Sequence, residues 1–504
     1  MDAEEKSRPL SNIINSGIDY KINDHNEIGI SGNYNHRDQV KHELINTQNE
    51  DQKHLLTKDF DRSRYDPENE HSLEYALKYK HLFEKEGHEL AIDYTSSGQK
   101  EQEDNHYTNI YRMPAMPTTY DNTLIKQNDN ESQFSAEYSN PLSETSKLEA
   151  GYLLETRKND MDYYGENFNS LTNTWEKDTL KSNQFIYTEQ IHVLYTTFEK
   201  ELGKFGILGG LRAEQAFVKS DQVTTDSLYE NNYFRVYPSL HLSYKKDDSN
   251  EFQLNYSHRI RRPEGDEMNP FPEYQDPYNL RIGDPTLQPE QIHSIEMGYQ
   301  FKKNLTTITS TIYYRYIYDG LTSITRYMND SVLVTTTANL SKSSSTGFEF
   351  IVSTTLAKII NINFGSNTFY NKIDASSLGY SSNKSNISCT LNLNSTINLT
   401  KSSMVQLNAN YVSARLTPQG KRLPSFVMNL GFRQELLKKK ASVLFTVSDL
   451  FNSLTSNSIV DTPELYQEVV RKRSARMIYL GFSYSFGKQL KKSKETQLKF
   501  DNQL

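Results

Sequence analysis

A single cysteine, Cys389, in 504 residues leaves no partner for an intrachain disulfide and no cysteine cage for a metal. It reads as a small apolar side chain on a strand. Long apolar runs are missing too. The richest, Phe205 to Leu211, is short and holds three glycines, well below the roughly 18 residues a membrane-crossing helix needs. The start, MDAEEKSRPL, has neither basic residues ahead of an apolar core nor the core itself, so it is not a signal peptide. Excess positive charge is also lacking. A net charge of −8 argues against non-specific nucleic-acid binding, which needs basic surface. The basic tail (Lys488, Lys491, Lys492, Lys494, Lys499) reads as a solvated terminus.

What is present conflicts with an ordinary globular protein. Apolar residues make up only 35% of the chain, and mean hydropathy is −0.75. Yet there are 34 Tyr and 23 Phe. Low apolar content signals a poor core, whereas aromatic and β-branched residues signal packed strands. A membrane barrel reconciles the two, because one face of each strand meets lipid while the lumen and outer loops are polar.

Period-two alternation runs throughout: Phe134, Ala136 and Tyr138; Phe252, Leu254 and Tyr256; Val405, Leu407, Ala409 and Tyr411; Ile478, Leu480, Phe482 and Tyr484. Such runs have one apolar and one polar face. Connections alternate in length. Short ones are expected near 24–26, 83–87, 141–144, 200–203, 245–250, 302–305, 357–360, 398–401 and 436–440. Longer polar ones are expected near 37–70, 97–130, 157–183, 220–229, 263–288, 373–384, 415–423 and 452–473. Outer-membrane barrels show this asymmetry, with tight periplasmic turns and long external loops. The segment around Met328 to Ser331 reads as the tip of two long strands that project beyond the membrane. The expected fold class is all-β, a large antiparallel transmembrane β-barrel. Its domains would be an N-terminal remnant at 1–14, the barrel at 15–487 and a polar basic tail at 488–504.

About nineteen strands emerge, an odd number, whereas bacterial single-chain barrels have an even one. A complete barrel of about twenty-two strands, the size of plugged transporters, would leave three outside this chain. The sequence is therefore expected to be truncated at its N-terminal side. Alone, such a sheet is expected to assemble poorly, since open edges in hydrocarbon leave backbone groups unpaired.

The segment Tyr237–Tyr299 carries a recognisable pattern. Tyr256, Ser257, Arg259, Ile260, Arg262 and Pro263 end one strand. Asn269, Pro270 and Phe271 follow, then Gly283, Asp284, Pro285, Leu287, Pro289 and Glu290 open the next. The pattern resembles the barrel domain of TonB-dependent receptors of Gram-negative outer membranes. Gly209 to Glu214 resembles the preceding family strand and Thr417 to Gly420 a late loop. Asp449 to Phe451 and Tyr484 to Phe486 are similar to the last two strands. The resemblance implies an outer-membrane receptor or transporter for TonB-dependent nutrient uptake. Its partners would be outer-membrane lipid, a nutrient ligand and, through N-terminal parts absent here, an inner-membrane TonB-type energy-coupling complex. No nucleic acid is implied. The family's signal peptide, plug and TonB box have no counterpart in the sequence, and a barrel without plug and coupling segment is not expected to perform energised transport by itself. A passive outer-membrane channel or a structural barrel protein is the alternative reading.

No catalytic, cofactor or metal-ligand pattern stands out. Ser257 and His258 are strand neighbours and point to opposite faces, and no paired-His spacing occurs. The chain is thus expected not to be an enzyme. Pro263, which lacks an N–H, is expected to end strand pairing, and the prolines after it to order the loop. Gly283 is expected to supply a positive φ. Arg259 and Arg262 are expected at the external rim, in hydrogen bonds and ion pairs. Tyr244, Tyr299, Tyr316 and Tyr484 at strand ends read as interfacial girdles. The ligand-binding candidates are loop tyrosines: Tyr107, Tyr111, Tyr120, Tyr163, Tyr164, Tyr274 and Tyr278.

Overall fold

The computed structural model describes residues 2–50, 55–276, 279–329, 332–380, 384–472 and 476–486. Nineteen long strands form a wall in chain order. They are β1 (Asp2–Asn23), β2 (Asn26–Glu50), β3 (Leu56–Leu82), β4 (Glu89–Met113), β5 (Thr119–Ser143), β6 (Ser146–Asn169), β7 (Asn183–Leu202), β8 (Phe205–Gln222), β9 (Ser227–Asp247) and β10 (Asn250–Arg261). The wall continues with β11 (Glu290–Lys303), β12 (Thr306–Asn329), β13 (Val332–Leu356), β14 (Ile360–Asp374), β15 (Lys384–Asn398), β16 (Ser403–Val412), β17 (Ser425–Leu436), β18 (Ala441–Ser448) and β19 (Met477–Tyr484). Each pairs antiparallel with its chain neighbour, as in Ile18↔Ile30, Phe252↔Tyr299 and Phe445↔Leu480. Three short loop strands bring this sheet to 22. Among the described residues, β1 pairs only with β2 and β19 only with β18.

Parity sorts the faces. Ile18, Leu194, Phe234, Met297 and Phe482 are all more than 60% exposed on one face. An apolar band of that extent belongs against lipid rather than water. Near the short turns it carries aromatic rings in a row: Phe205 and Tyr244 lie 4.8 Å apart, Phe252 and Tyr299 5.0 Å. The opposite face is the polar lumen. There Asn408 bonds Asn394 and Asn429, and Asn410 bonds Asn392, while Leu407 and Leu430 pair on the lipid face.

All nine short turns fall within a few residues of their expected places. Three expected loops do not. Most of 37–70, 97–130 and 157–183 is strand, so that β2 to β6 run for 24 to 27 residues. About 9–11 residues cross a membrane, so the remainder stands outside it. The reason these extensions look like loops is that neither face meets lipid and the inner face is packed mostly with polar side chains such as Arg62, Asp66, Glu68 and Asn105, so no apolar parity is needed. β1 likewise begins at Asp2 rather than near Asn15. The hairpin at Met328 to Ser331 has its strands where expected, ending at Asn329 and resuming at Val332; residues 330–331 lie outside the described residues.

A second, four-stranded sheet of Arg415–Thr417, Gly420–Arg422, Thr455–Asp461 and Tyr466–Lys472 belongs to the last two external loops. Gln419, in the first of them, accepts from Thr325 N at 2.7 Å and donates to Thr325 O at 2.6 Å, which ties the sheet to β12.

A candidate ligand site at the external mouth

The loop between β10 and β11, residues 262–289, does not stand in solvent. Pro263 is buried and follows the last paired residue of β10, Arg261. A 3-10 turn at Asp266–Met268 then drives Met268 among Met161, Phe185, Tyr187 and Val218 on the lumenal wall. Leu280 and Leu287 are buried as well. Burying side chains of this size stabilises the docked loop by roughly 1.5–3 kcal/mol each. Farther on, Asn279–Arg281 lies parallel to Leu333–Thr335 of β13, so the loop reaches across the mouth.

Gly283 makes the inward fold possible, though not for the expected reason. Its φ is not in the left-handed region. Instead its N–H donates to Asn269 O at 2.7 Å, and Asp284 N donates to Glu267 O at 2.7 Å. A Cβ on Gly283 would sit 2.5 Å from Glu267 O. The position needs close approach of two backbone segments.

Between this loop and β3 to β7 lies a cavity of about 190 Å³. Arg62 anchors one side. It donates to Asp121 at 3.0 and 2.9 Å and to Asn109 at 2.7 Å, and its guanidinium covers the Tyr107 ring at 3.7 Å. Lys181 approaches the same carboxylate at 3.4 Å. Burial raises the Asp121 carboxyl, but the bonds and charge of Arg62, with Lys181, outweigh it and hold the group below the ordinary aspartate value. On the loop side Arg281 pairs with Asp266 at 2.7 Å. The Tyr163 hydroxyl is pushed well above its usual value, chiefly by burial. Asn183 and Asn105, 3% and 1% exposed, also line the cavity. Both amide atoms of Asn183 and Oδ1 of Asn105 lack a hydrogen-bond partner among the described residues.

Lower on the lumenal wall sits an ion-paired hub that sequence reading missed. Arg37 donates to Glu70 at 2.8 Å, to Glu68 at 2.5 Å and to Gln39 at 2.9 Å. Glu68, Glu70 and Glu101 bring one oxygen each within 4.8 Å of one another, and Glu68 also bonds Lys41. Three hard oxygens could serve a divalent cation, but Arg37 already occupies the space between them. Finding this hub requires the register Arg37↔Glu70 and Glu70↔Glu101, which no local motif encodes.

The seven tyrosine candidates divide. Tyr107 and Tyr163 face the lumen and line the cavity together. Tyr111 packs on Phe60 at 5.6 Å. Tyr120 and Tyr164 have the opposite parity and lie on the outer face. Tyr120 joins a cluster with Phe168 and Trp175, and Tyr164 sits under Lys177. Tyr274 belongs to the short strand Glu273–Asp276, its side chain outside the described residues. Tyr278 lies outside the described residues. Arg262 turns inward, donating to Tyr233 at 2.9 Å and to Glu214, whereas Arg259 is exposed.

The model of a family described as outer membrane protein beta-barrel family matches residues 81–484. Among curated proteins none matches in sequence. Solved structures match in fold. The copper transporter OprC superposes with a TM-score of 0.60 at 11% identity, over 96% of this chain and 81% of that one. The siderophore receptor PiuA from Acinetobacter baumannii gives 0.58 at 11%, again over 96% and 81%. The ferric-catecholate import receptor Fiu from Escherichia coli K12 gives 0.56 at 12%, with the same coverage.

Proposed function

We propose, from the premise that this chain belongs to the outer membrane protein beta-barrel family, that it forms the wall and mouth of a receptor for energised nutrient uptake. The observation that carries this is the 262–289 loop. Its apolar side chains are buried against the lumenal wall, and it closes a small polar cavity instead of leaving the lumen clear. A diffusion channel works by an unobstructed aqueous bore, while a receptor needs convergent polar and aromatic groups at its entrance. The fold shared with a copper transporter and a ferric-catecholate import receptor supports the reading. Energy would come from an inner-membrane TonB-type complex.

Uptake by cells carrying the gene at its natural locus tests it. A nutrient that enters only when gene, energy-coupling complex and proton gradient are all intact is the expected result. Entry that follows the external concentration and ignores an uncoupler would establish a passive channel instead.

A further inference from the structure

We infer that the cavity under the 262–289 loop receives one ring of a neutral carbohydrate. The inference rests on the receptor reading and names the chemistry of its ligand.

Charge comes first. The cations around the cavity are already paired: Arg62 and Lys181 share Asp121, Arg281 holds Asp266, and Arg64 holds Glu43 at 3.3 Å. A polyanionic chelate would have to break these pairs and would leave the buried carboxylate of Asp121 uncompensated. A neutral ligand leaves them in place.

Hydrogen bonding narrows the class. Asn183 offers an unused donor and an unused acceptor, and Asn105 an unused acceptor, all within the buried lining. A buried polar group left unpaired is costly, so its partner is expected in the ligand. Catecholate and carboxylate oxygens only accept, and cannot serve Asn105 Oδ1 or Asn183 Oδ1. A sugar hydroxyl donates and accepts through one atom. Tyr163 and Phe271 also line the cavity and offer the C–H face of a pyranose an aromatic surface. The volume of about 190 Å³ lies below the roughly 300 Å³ at which sites for drug-sized molecules begin. One ring fits, with the rest of an oligosaccharide lying in the mouth.

The test uses the full-length protein, tagged at its natural locus and purified from outer membranes in detergent. Probes are neutral gluco-, xylo-, manno- and chito-oligosaccharides, a ferric tris-catecholate and a neutral tripeptide. Binding of at least one neutral oligosaccharide is expected. Asn183→Leu and Phe271→Ala should each weaken it about tenfold or more, the loss of one buried contact. Tyr164→Ala, outward on the strand that carries Tyr163, should leave it unchanged. Heat-modifiable gel migration shows which variants are folded, and Phe271→Ala, on a loop, carries the test if Asn183→Leu is not. Chelate or tripeptide binding lost in the same variants would overturn the carbohydrate class and leave the receptor reading intact. Sugar binding indifferent to both variants would overturn the cavity, and failure of every probe on folded protein would overturn the assignment. The receptor reading falls separately, only if uptake ignores the uncoupler.

Discussion

Arg62 on β3 and Asp121 on β5 meet across the intervening strand β4, their side chains joined by two hydrogen bonds at 3.0 and 2.9 Å. Both are almost fully buried. Removing only the cation leaves a buried carboxylate with Lys181 as its remaining counter-charge. Arg62→Met is therefore expected to cost about 3–5 kcal/mol, read as a lowered melting temperature of the purified protein. The double variant Arg62→Met, Asp121→Leu should recover part of that loss. A double variant as unstable as the single one would show that the packing of the arginine stem, not the pairing, supplies the stability.

The same pair sets an acid limit on the mouth. Asp121 has a folded-state pKa below its unfolded value, so the unfolded chain binds the proton more readily. The pair's contribution is fully present above about pH 3.9, the ordinary aspartate value, and is lost as pH falls through the lower folded value. Melting followed from pH 6 to about 2.5 should show a steeper acid loss for the parent than for Asp121→Asn. Parallel curves would mean that other carboxylates govern acid unfolding.

Gly283→Ala should undock the 262–289 loop without dismantling the wall. The added methyl would meet the backbone of Glu267 and Asn269, and neither segment can yield while it is hydrogen-bonded. Protease cleavage within the loop should rise in this variant. Gly209→Ala, where a Cβ has nothing within 4 Å, should behave as the parent. Equal protection of both would place the loop's stability elsewhere.

Leu407 and Asn408 are neighbours on opposite faces. Leu407→Arg puts a charge in lipid and should cost roughly 2–4 kcal/mol if it sits near the midplane. Asn408→Arg faces water in the lumen and should be tolerated. Insertion efficiency into outer membranes measures both, and the reverse outcome would invert the assignment of lumen and lipid.

With Cys389 replaced by serine, a cysteine at Met116, in the external turn between β4 and β5, should react with an impermeant maleimide on whole cells. A cysteine at Lys401, in the short turn between β15 and β16, should react only after the outer membrane is broken. Labelling of the second site on intact cells would reverse the topology.

The turns were legible because, near the periplasmic end, lipid on one side and water on the other force a parity on each strand. Val405, Leu407 and Ala409 show it plainly. Residues such as His36 to Gln48 show none, for neither face meets lipid and the inner one carries polar groups such as Arg37, Gln39 and Lys41, and so the upper half of β2 passes for a loop. The outward placing of Tyr120 and Tyr164 was nevertheless readable. Each shares the parity of its strand's lipid face, Phe134 and Tyr138 on β5 or Leu148, Tyr152 and Leu154 on β6, once the strand is allowed to run on. What no local pattern carries is register. Arg62 and Asp121, or Arg37 with Glu68 and Glu101, are brought together by pairings tens of residues apart.

The wall is also lopsided. β3 has 27 residues, while β18 and β19 have 8 each. At about 3.3 Å per residue the tall staves rise tens of ångströms above their shortest counterparts, and over those short strands the rim is built up by the four-stranded loop sheet, whose Gln419 reaches Thr325 far up β12. A solute arriving from outside meets a charged palisade of continuous strand on one flank and a parapet of folded loops on the other. Capture then has a compass bearing: the palisade flank is the one that carries Arg62, Tyr107 and Tyr163 together on its inner side.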